Sequence, residues 1–211
     1  MVMTIHSANP ANTALDITLD KPLNSVSATL PSIADVSNVP HSDTALFASF
    51  HLDPRLEASV LAMGYTMATP IQTQAIPLVM QGFDVMGAAQ TGTGKTAAFA
   101  LPILHRMLPM ASSSPSPARH PVKALILAPT RELADQIYVN VRDYAKGTPI
   151  RTAVIFGGMD FKPQEAQLRA GVDVLIATPG RLLDHVASKV LNLSQVGMLV
   201  LDEADRMLDM G

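Results

Sequence analysis

The residues Ala89-Gln90-Thr91-Gly92-Thr93-Gly94-Lys95-Thr96 combine small side chains, hydroxyls and one lysine in an order suited to wrapping an anion. Glycines let successive backbone N–H groups curl toward phosphate oxygens. A helix starting just after them adds partial positive charge, and the apolar spacing of Phe99, Leu101 and Leu104 predicts one. Lys95 is then placed to reach β and γ phosphates of a nucleoside triphosphate, and the Thr96 hydroxyl to ligate Mg²⁺. The stretch has the Walker A form with one departure: Ala89 stands where the strict pattern has Gly, which removes some backbone freedom there.

A second candidate lies about a hundred residues on, where the apolar run Met198-Leu199-Val200-Leu201 ends in Asp202 and Glu203. Two adjacent carboxylates at a buried strand end are costly unless a metal or donors compensate, which makes Asp202 a natural Mg²⁺ partner. Glu203 would orient or deprotonate an attacking water. By itself an apolar run ending in Asp-Glu reads as well as an acidic helix cap; the upstream phosphate loop favours the catalytic reading.

These groups must be delivered by elements, and the chain supplies a regular set. Apolar runs at 84–88, 122–128, 172–177 and 196–201, with a weaker one at 151–156, are each followed by turn residues and a helix-compatible segment. Such alternation predicts buried parallel strands in a doubly wound α/β sheet, with ligand sites beyond the C-terminal strand ends. Both candidate groups fall at such ends. Asp53 and Pro54 mark a helix start, and the Pro/Ser-rich stretch 109–121 is expected to be a surface loop.

Residues 1–45 carry one Lys, no Arg, and many Ser, Thr, Asn, Pro and Asp without sustained periodicity, and are expected to be a disordered tail, with the folded domain over 46–211. Asp16, Asp20, Asp35 and Asp43 in an Arg-free segment argue against an organellar transit peptide. The absence of cysteine excludes disulfides and thiolate metal sites, and the six His lack paired zinc spacing. Short, interrupted apolar runs support neither membrane spanning nor export, so a soluble, cytoplasmic protein is expected. A net charge of −3 means that any nucleic-acid binding must come from local geometry and a few placed cations.

Asp202-Glu203-Ala204-Asp205 resembles the signature tetrapeptide of the DEAD-box RNA helicases, and the likeness extends over residues 47 to 211. Residues 64–72 (GYTMATPIQ) are similar to the family's Q motif, with Phe47 at its upstream aromatic and Met67-Ala68 replacing a more usual polar residue and Pro. The resemblance implies that Gln72 reads the adenine edge and Tyr65 stacks on its face, giving ATP rather than GTP. Alone, these two read as a helix-capping Gln and a buried Tyr. Pro129-Thr130-Arg131-Glu132-Leu133 resembles motif Ia, Gly157-Gly158 the GG element, and Thr178-Pro179-Gly180-Arg181 motif Ib. These hydroxyls, exposed amides and single arginines suit sequence-independent contacts to an RNA backbone, although Thr178-Pro179 in isolation reads equally as a helix cap. Wording around the motifs is most similar to bacterial RhlE-type members.

The resemblance implies an ATP-dependent RNA helicase represented by its first RecA-like P-loop NTPase domain: a mostly parallel sheet flanked by helices, ending after the DEAD motif. Family relatives place a further strand, carrying motif III, between the Walker A and Walker B strands, so a sheet with a central gap, apolar edges and poor stability is expected. The second RecA-like domain, with an arginine finger worth roughly 10³ to 10⁵ in rate, also lies beyond these motifs. The chain alone is therefore expected to bind ATP and RNA with little turnover.

Overall fold

The computed structural model describes residues 2–7, 34–36, 45–88 and 92–209. Their strands form one seven-stranded sheet in the order β2-β3-β1-β7-β4-β6-β5. These are β1 (Val2–Ser7), β2 (Ala34–Asp35), β3 (Val85–Ala88), β4 (Ala124–Leu127), β5 (Thr152–Ile155), β6 (Val174–Ala177) and β7 (Met198–Leu201). All five strands expected from apolar runs are present, each one to three residues shorter than its run.

Helices follow the strands where local chemistry starts them. Helix α1 (Pro54–Ala62) begins with the Asp53 carboxylate accepting the Arg55 N–H at 3.0 Å and Pro54 in the first turn. Helix α2 (Pro70–Gln81) also has Pro at its start and stops at Gly82, whose φ of 90° is the left-handed conformation that closes many helices. Helix α3 (Lys95–Met107) starts from Gly94, and α4 (Arg131–Tyr144) from Thr130, whose hydroxyl accepts the Leu133 N–H at 3.3 Å. Helices α5 (Phe161–Arg169), α6 (Pro179–Ala187) and α7 (Ala204–Asp209) complete the set.

The sheet separates two cores, as alternation along each strand requires. Ile126, Ile176 and Val200 pack with α1 to α4 around Leu56, Ile76, Phe99, Leu101, Leu104 and Ile137. Leu125 and Leu175 face the other way, toward Leu168 of α5 and Leu182 of α6. Burying each of these aliphatic side chains contributes about 1.5–3 kcal/mol before chain entropy is counted. The 109–121 stretch runs between α3 and β4 at the strand ends opposite the phosphate loop. It is pinned there by His120, whose ring nitrogens lie 2.8 Å from the Asp173 carboxylate and 2.8 Å from the Ser114 carbonyl. Lys123 Nζ and the Arg151 N–H donate to the same carboxylate at 3.3 and 2.9 Å.

Two expectations are corrected here. The sheet has no gap between its Walker strands: β1 lies between β3 and β7 and pairs antiparallel with both. Nor is the 1–45 segment without structure wherever it is described, since 2–7 and 34–35 are strands, the latter parallel to β3 through Ala34 N–H to Asp84 O at 2.9 Å. Averaging composition over 45 residues concealed a short run, Val2 to Ile5, with enough β-forming character to join a ladder that offers partners on both sides. The rest of that segment lies outside the described residues.

Candidate nucleotide site and backbone-facing edge

β3 and β7 are both antiparallel to β1, so they run the same way and end at the same edge of the sheet. Ala88 pairs with Val2 and Leu201 with Thr4, which sets the exit points of the phosphate loop and of Asp202 beside the start of β1. Lys95, Thr96 and Asp202 accordingly line one cleft of about 390 Å³, together with Gly92, Gly94, Phe47, Tyr65, Thr69 and Gln72. That volume lies in the range of small-ligand sites. Thr93 borders it through its carbonyl, which accepts from the Thr69 hydroxyl at 2.8 Å. Ala89, Gln90 and Thr91 lie outside the described residues.

Electrostatics in the cleft are tense. Asp202 is 2% exposed, and burial pushes its carboxyl up to about 6 against the opposing pull of Lys95. Burial likewise lowers the Lys95 ammonium, partly offset by Asp202 and Glu203. A cation and a carboxylate held in one partly dry cleft fit an anionic ligand carrying its own metal, because each unfavourable desolvation is then compensated. Among the described residues no three His, Cys, Asp or Glu side chains gather as a metal cage. A divalent ion here would thus take most of its oxygen ligands from phosphate and water, which is how Mg²⁺ is usually held. Glu203 adopts a φ of 55°, unusual for a side chain with a Cβ, and its carboxylate lies 3.3 Å from Arg206. Strain of this kind costs on the order of 1–3 kcal/mol and concentrates at functional sites.

Thr69 and Gln72 meet the turn at 93–94 directly. Gln72 Oε1 accepts the Thr69 N–H at 2.8 Å, and its Nε2 donates to the Gly94 carbonyl at 3.0 Å. Thus the capping role of Gln72 is real, and it extends to tethering the loop. One N–H and one lone pair of the amide remain for a ligand. Phe47 and Tyr65 stack at 6.1 Å with rings 25° apart, and Tyr65 sits beside Tyr144, whose phenol is raised by burial and by that neighbour.

Leu133, Gln136, Asn140 and Tyr144 of α4 also line the cleft. The sequence pointed to Leu133 only as part of the 129–133 stretch, and to the other three not at all. Their spacing is that of one helical face, but nothing in the sequence distinguishes a face turned to a ligand from one turned to core or water.

The backbone-contact candidates gather at the same edge of the sheet, beyond β4, β5 and β6. Pro129 and Thr130 lead into α4, and Thr178 caps α6, which starts at Pro179 and Gly180 without a side-chain cap bond. Gly158 has a φ of 79°, and a Cβ there would stand 3.3 Å from the Arg131 guanidinium, so the start of α4 meets the turn at 157–158. Gly157 has open space around it. Arg181 donates to the Met159 carbonyl at 3.0 Å and lies over the Phe161 ring at 5.8 Å, so its guanidinium is largely engaged within the fold. Behind it, His185 is fully buried and stacked on Phe161 at 4.0 Å, and burial lowers its imidazole, keeping it neutral.

Comparison with known proteins agrees with this geometry. Residues 69–211 match the DEAD/DEAH box helicase family. The chain is 45% identical over 177 residues to the ATP-dependent RNA helicase RhlB of Xanthomonas oryzae pv. oryzae, covering 83% of this chain and 30% of that protein. It is 46% identical over 166 residues to the ATP-dependent RNA helicase DDX4 of Mus musculus, covering 78% and 24%. It therefore spans less than a third of these curated relatives. The crystal structure of a DEAD box protein from Methanococcus jannaschii superposes with a TM-score of 0.65 at 32% identity, over 79% of this chain and 43% of that one. That of a hypothetical ATP-dependent RNA helicase from Sulfolobus tokodaii gives 0.64 at 35% identity, over 76% and 44%. The fold is thus the expected α/β RecA-like one, and the chain belongs to the DEAD/DEAH box helicase family.

Proposed function

We propose that this chain is the ATP-binding motor half of an ATP-dependent RNA helicase. The observation that carries the reading is the convergence of Lys95, Thr96 and Asp202 on one cleft that also contains Phe47, Tyr65 and Gln72. Lys95 would meet the β and γ phosphates, the amides of Gly92 to Gly94 would face them, and Thr96 with Asp202 would hold Mg²⁺. Bound Mg²⁺ would supply charge neutralisation on the phosphate oxygens. Glu203, whose backbone is left-handed, orients the attacking water. Tyr65 and Phe47 offer an aromatic wall for adenine, and the spare amide valences of Gln72 read its edge.

Pro129, Thr130, Arg131, Gly157, Gly158, Thr178, Pro179, Gly180 and Arg181 form the RNA-facing edge. Arg131, at the protein surface, is the leading phosphate contact, and the amides of the GG turn and of the α6 start complete it. RhlE-type membership is supported by the wording at 70–77 and 205–211. No helix among the described residues is long and apolar enough to cross a membrane, and we place the protein in the cytoplasm.

Among the described residues no arginine lines the cleft, which favours binding without efficient turnover until a second RecA-like domain supplies one. Titration with a fluorescent ATP analogue, competed by ATP and GTP with and without Mg²⁺, tests the reading. ATP-selective, Mg²⁺-dependent binding that Lys95→Ala abolishes is expected; binding indifferent to Lys95→Ala would overturn it.

A further inference from the structure

Two turns of the backbone-facing edge are carried by different helices, and side chains join them. The turn at 157–160 is held from α5: Gln164 donates to the Phe156 and Asp160 carbonyls at 3.1 and 3.4 Å and accepts the Phe156 N–H at 3.2 Å. From α6 the same turn is met by Arg181 and His185, which stand four residues apart on one face of that helix. Arg181 donates to the Met159 carbonyl at 3.0 Å and its guanidinium lies 5.8 Å from the Phe161 ring centre. The His185 ring stacks on Phe161 at 4.0 Å with the planes 19° apart.

His185 is a costly occupant of that place. Among the described residues, the buried side-chain nitrogens and oxygens without a hydrogen-bond partner are both ring nitrogens of His185 and Arg181 Nε, which approaches the Asp184 carboxylate only to 3.5 Å. A hydrocarbon ring of similar size would stack as well without leaving two polar atoms dry. What imidazole adds is a change of charge near neutral pH. The charged groups facing the ring are Arg181 and Asp184 on its own helix and Glu165 on α5, itself paired with Arg169 at 2.8 Å. Arg181 opposes a second positive charge and the two carboxylates favour it, but burial is the larger influence and lowers the imidazole. The neutral ring is thus the one that fits, and its contribution is present at and above neutral pH and lost as pH falls below the ordinary histidine range.

We propose that neutral His185 is the positioning residue that holds the turn at 157–160 in register with the start of α6, so that Gly157, Gly158, Gly180 and Arg181 present one surface to an RNA backbone. An imidazolium in that place is a buried charge beside Arg181; it leaves the Phe161 ring, and the two turns separate. The edge therefore grips at neutral pH and slackens in acid. An ordinary surface histidine acts in the opposite direction, since its added charge strengthens contact with phosphate. The consequence for RNA rests on the backbone-facing reading above; the stack and its titration do not.

Affinity of the full chain for a fluorescein-labelled single-stranded oligouridylate, measured from pH 5 to 8 for the wild type, His185→Phe and His185→Ala, tests this. His185→Phe keeps the stack and removes the proton, so its affinity at neutral pH should lie within about twofold of wild type, whereas His185→Ala should bind about two- to tenfold more weakly. Relative to His185→Phe, the wild type should lose affinity toward pH 5, by about tenfold per pH unit once the ring titrates, with both proteins equally folded by circular dichroism. Amide hydrogen exchange over 157–160, compared between these two proteins at each pH, should quicken in the wild type alone as acid is added. Parallel affinity profiles for wild type and His185→Phe, or a loss that tracks unfolding, would overturn the proposal whether or not the alanine variant folds. A pH-dependent difference in exchange with no RNA bound by any of the three would sink the RNA reading and leave the stack standing; parallel exchange profiles would remove the stack as well.

Discussion

Gln72 donates its amide hydrogen to the Gly94 carbonyl across 3.0 Å, tying the first turn of α2 to the residue from which α3 and Lys95 begin. A side chain expected to read a base is therefore also part of the frame that shapes the phosphate loop. A Cβ at Gly94 would run into that same amide, and Gly94 has a φ of 83°, so this position has both no room and no backbone tolerance for another residue.

Replacing Gln72 should consequently do more than relax base choice. Gln72→Ala removes a capping acceptor and the tether to Gly94, and is expected to lower stability by about 1 kcal/mol as well as to reduce discrimination of ATP from GTP. Urea denaturation alongside competition binding checks both. Unchanged stability would show the tether to be without consequence. Gly94→Ala should be more damaging to nucleotide affinity than Gln72→Ala, since it displaces the loop itself.

The pH dependence of the ligand-free chain should carry the imprint of Asp202. Its carboxyl is raised by burial from 3.8 to about 6, so the folded chain holds the proton more tightly than the unfolded chain does. The corresponding stability is fully present below about pH 4 and is lost as pH rises through 6, a change of about 2–3 kcal/mol. Asp202→Asn should flatten that profile and raise stability at pH 7.5 while abolishing Mg²⁺-dependent nucleotide binding. Denaturation midpoints measured from pH 4.5 to 8 decide the matter; parallel profiles for the two proteins would contradict it.

Far from the cleft, Asp173 gathers His120, Lys123 and the Arg151 N–H within a buried site. Asp173→Ala leaves these donors without their acceptor, and such removals typically cost about 3–5 kcal/mol. Thermal unfolding should show a drop of that order, with nucleotide affinity of the remaining folded fraction unchanged. A loss under 1 kcal/mol would mean that the loop at 109–121 is held by other contacts.

Much of this architecture was legible in the residues because local pattern and tertiary demand coincide there. The run from Met198 to Leu201 is apolar because β7 is inner, and the glycines at 92 and 94 are needed because the chain turns left-handed at both. β1 was not legible: Val2–Ser7 is short, and its place depends on two strands that begin about 80 and 190 residues later. Gln136 and Asn140 were missed for a related reason, since the face of α4 that meets the cleft is set by packing rather than by spacing. His120 gave no local signal at all, because its partner Asp173 is 53 residues away.

The account turns on Lys95 and Asp202 serving one bound nucleotide. A double-mutant cycle of Lys95→Ala and Asp202→Asn, read as Mg·ATP affinity by calorimetry, measures this directly. The account predicts strong non-additivity, with a coupling of about 1–3 kcal/mol, because either change alone disables the same site. Losses that add independently would place the two residues in separate sites and contradict it.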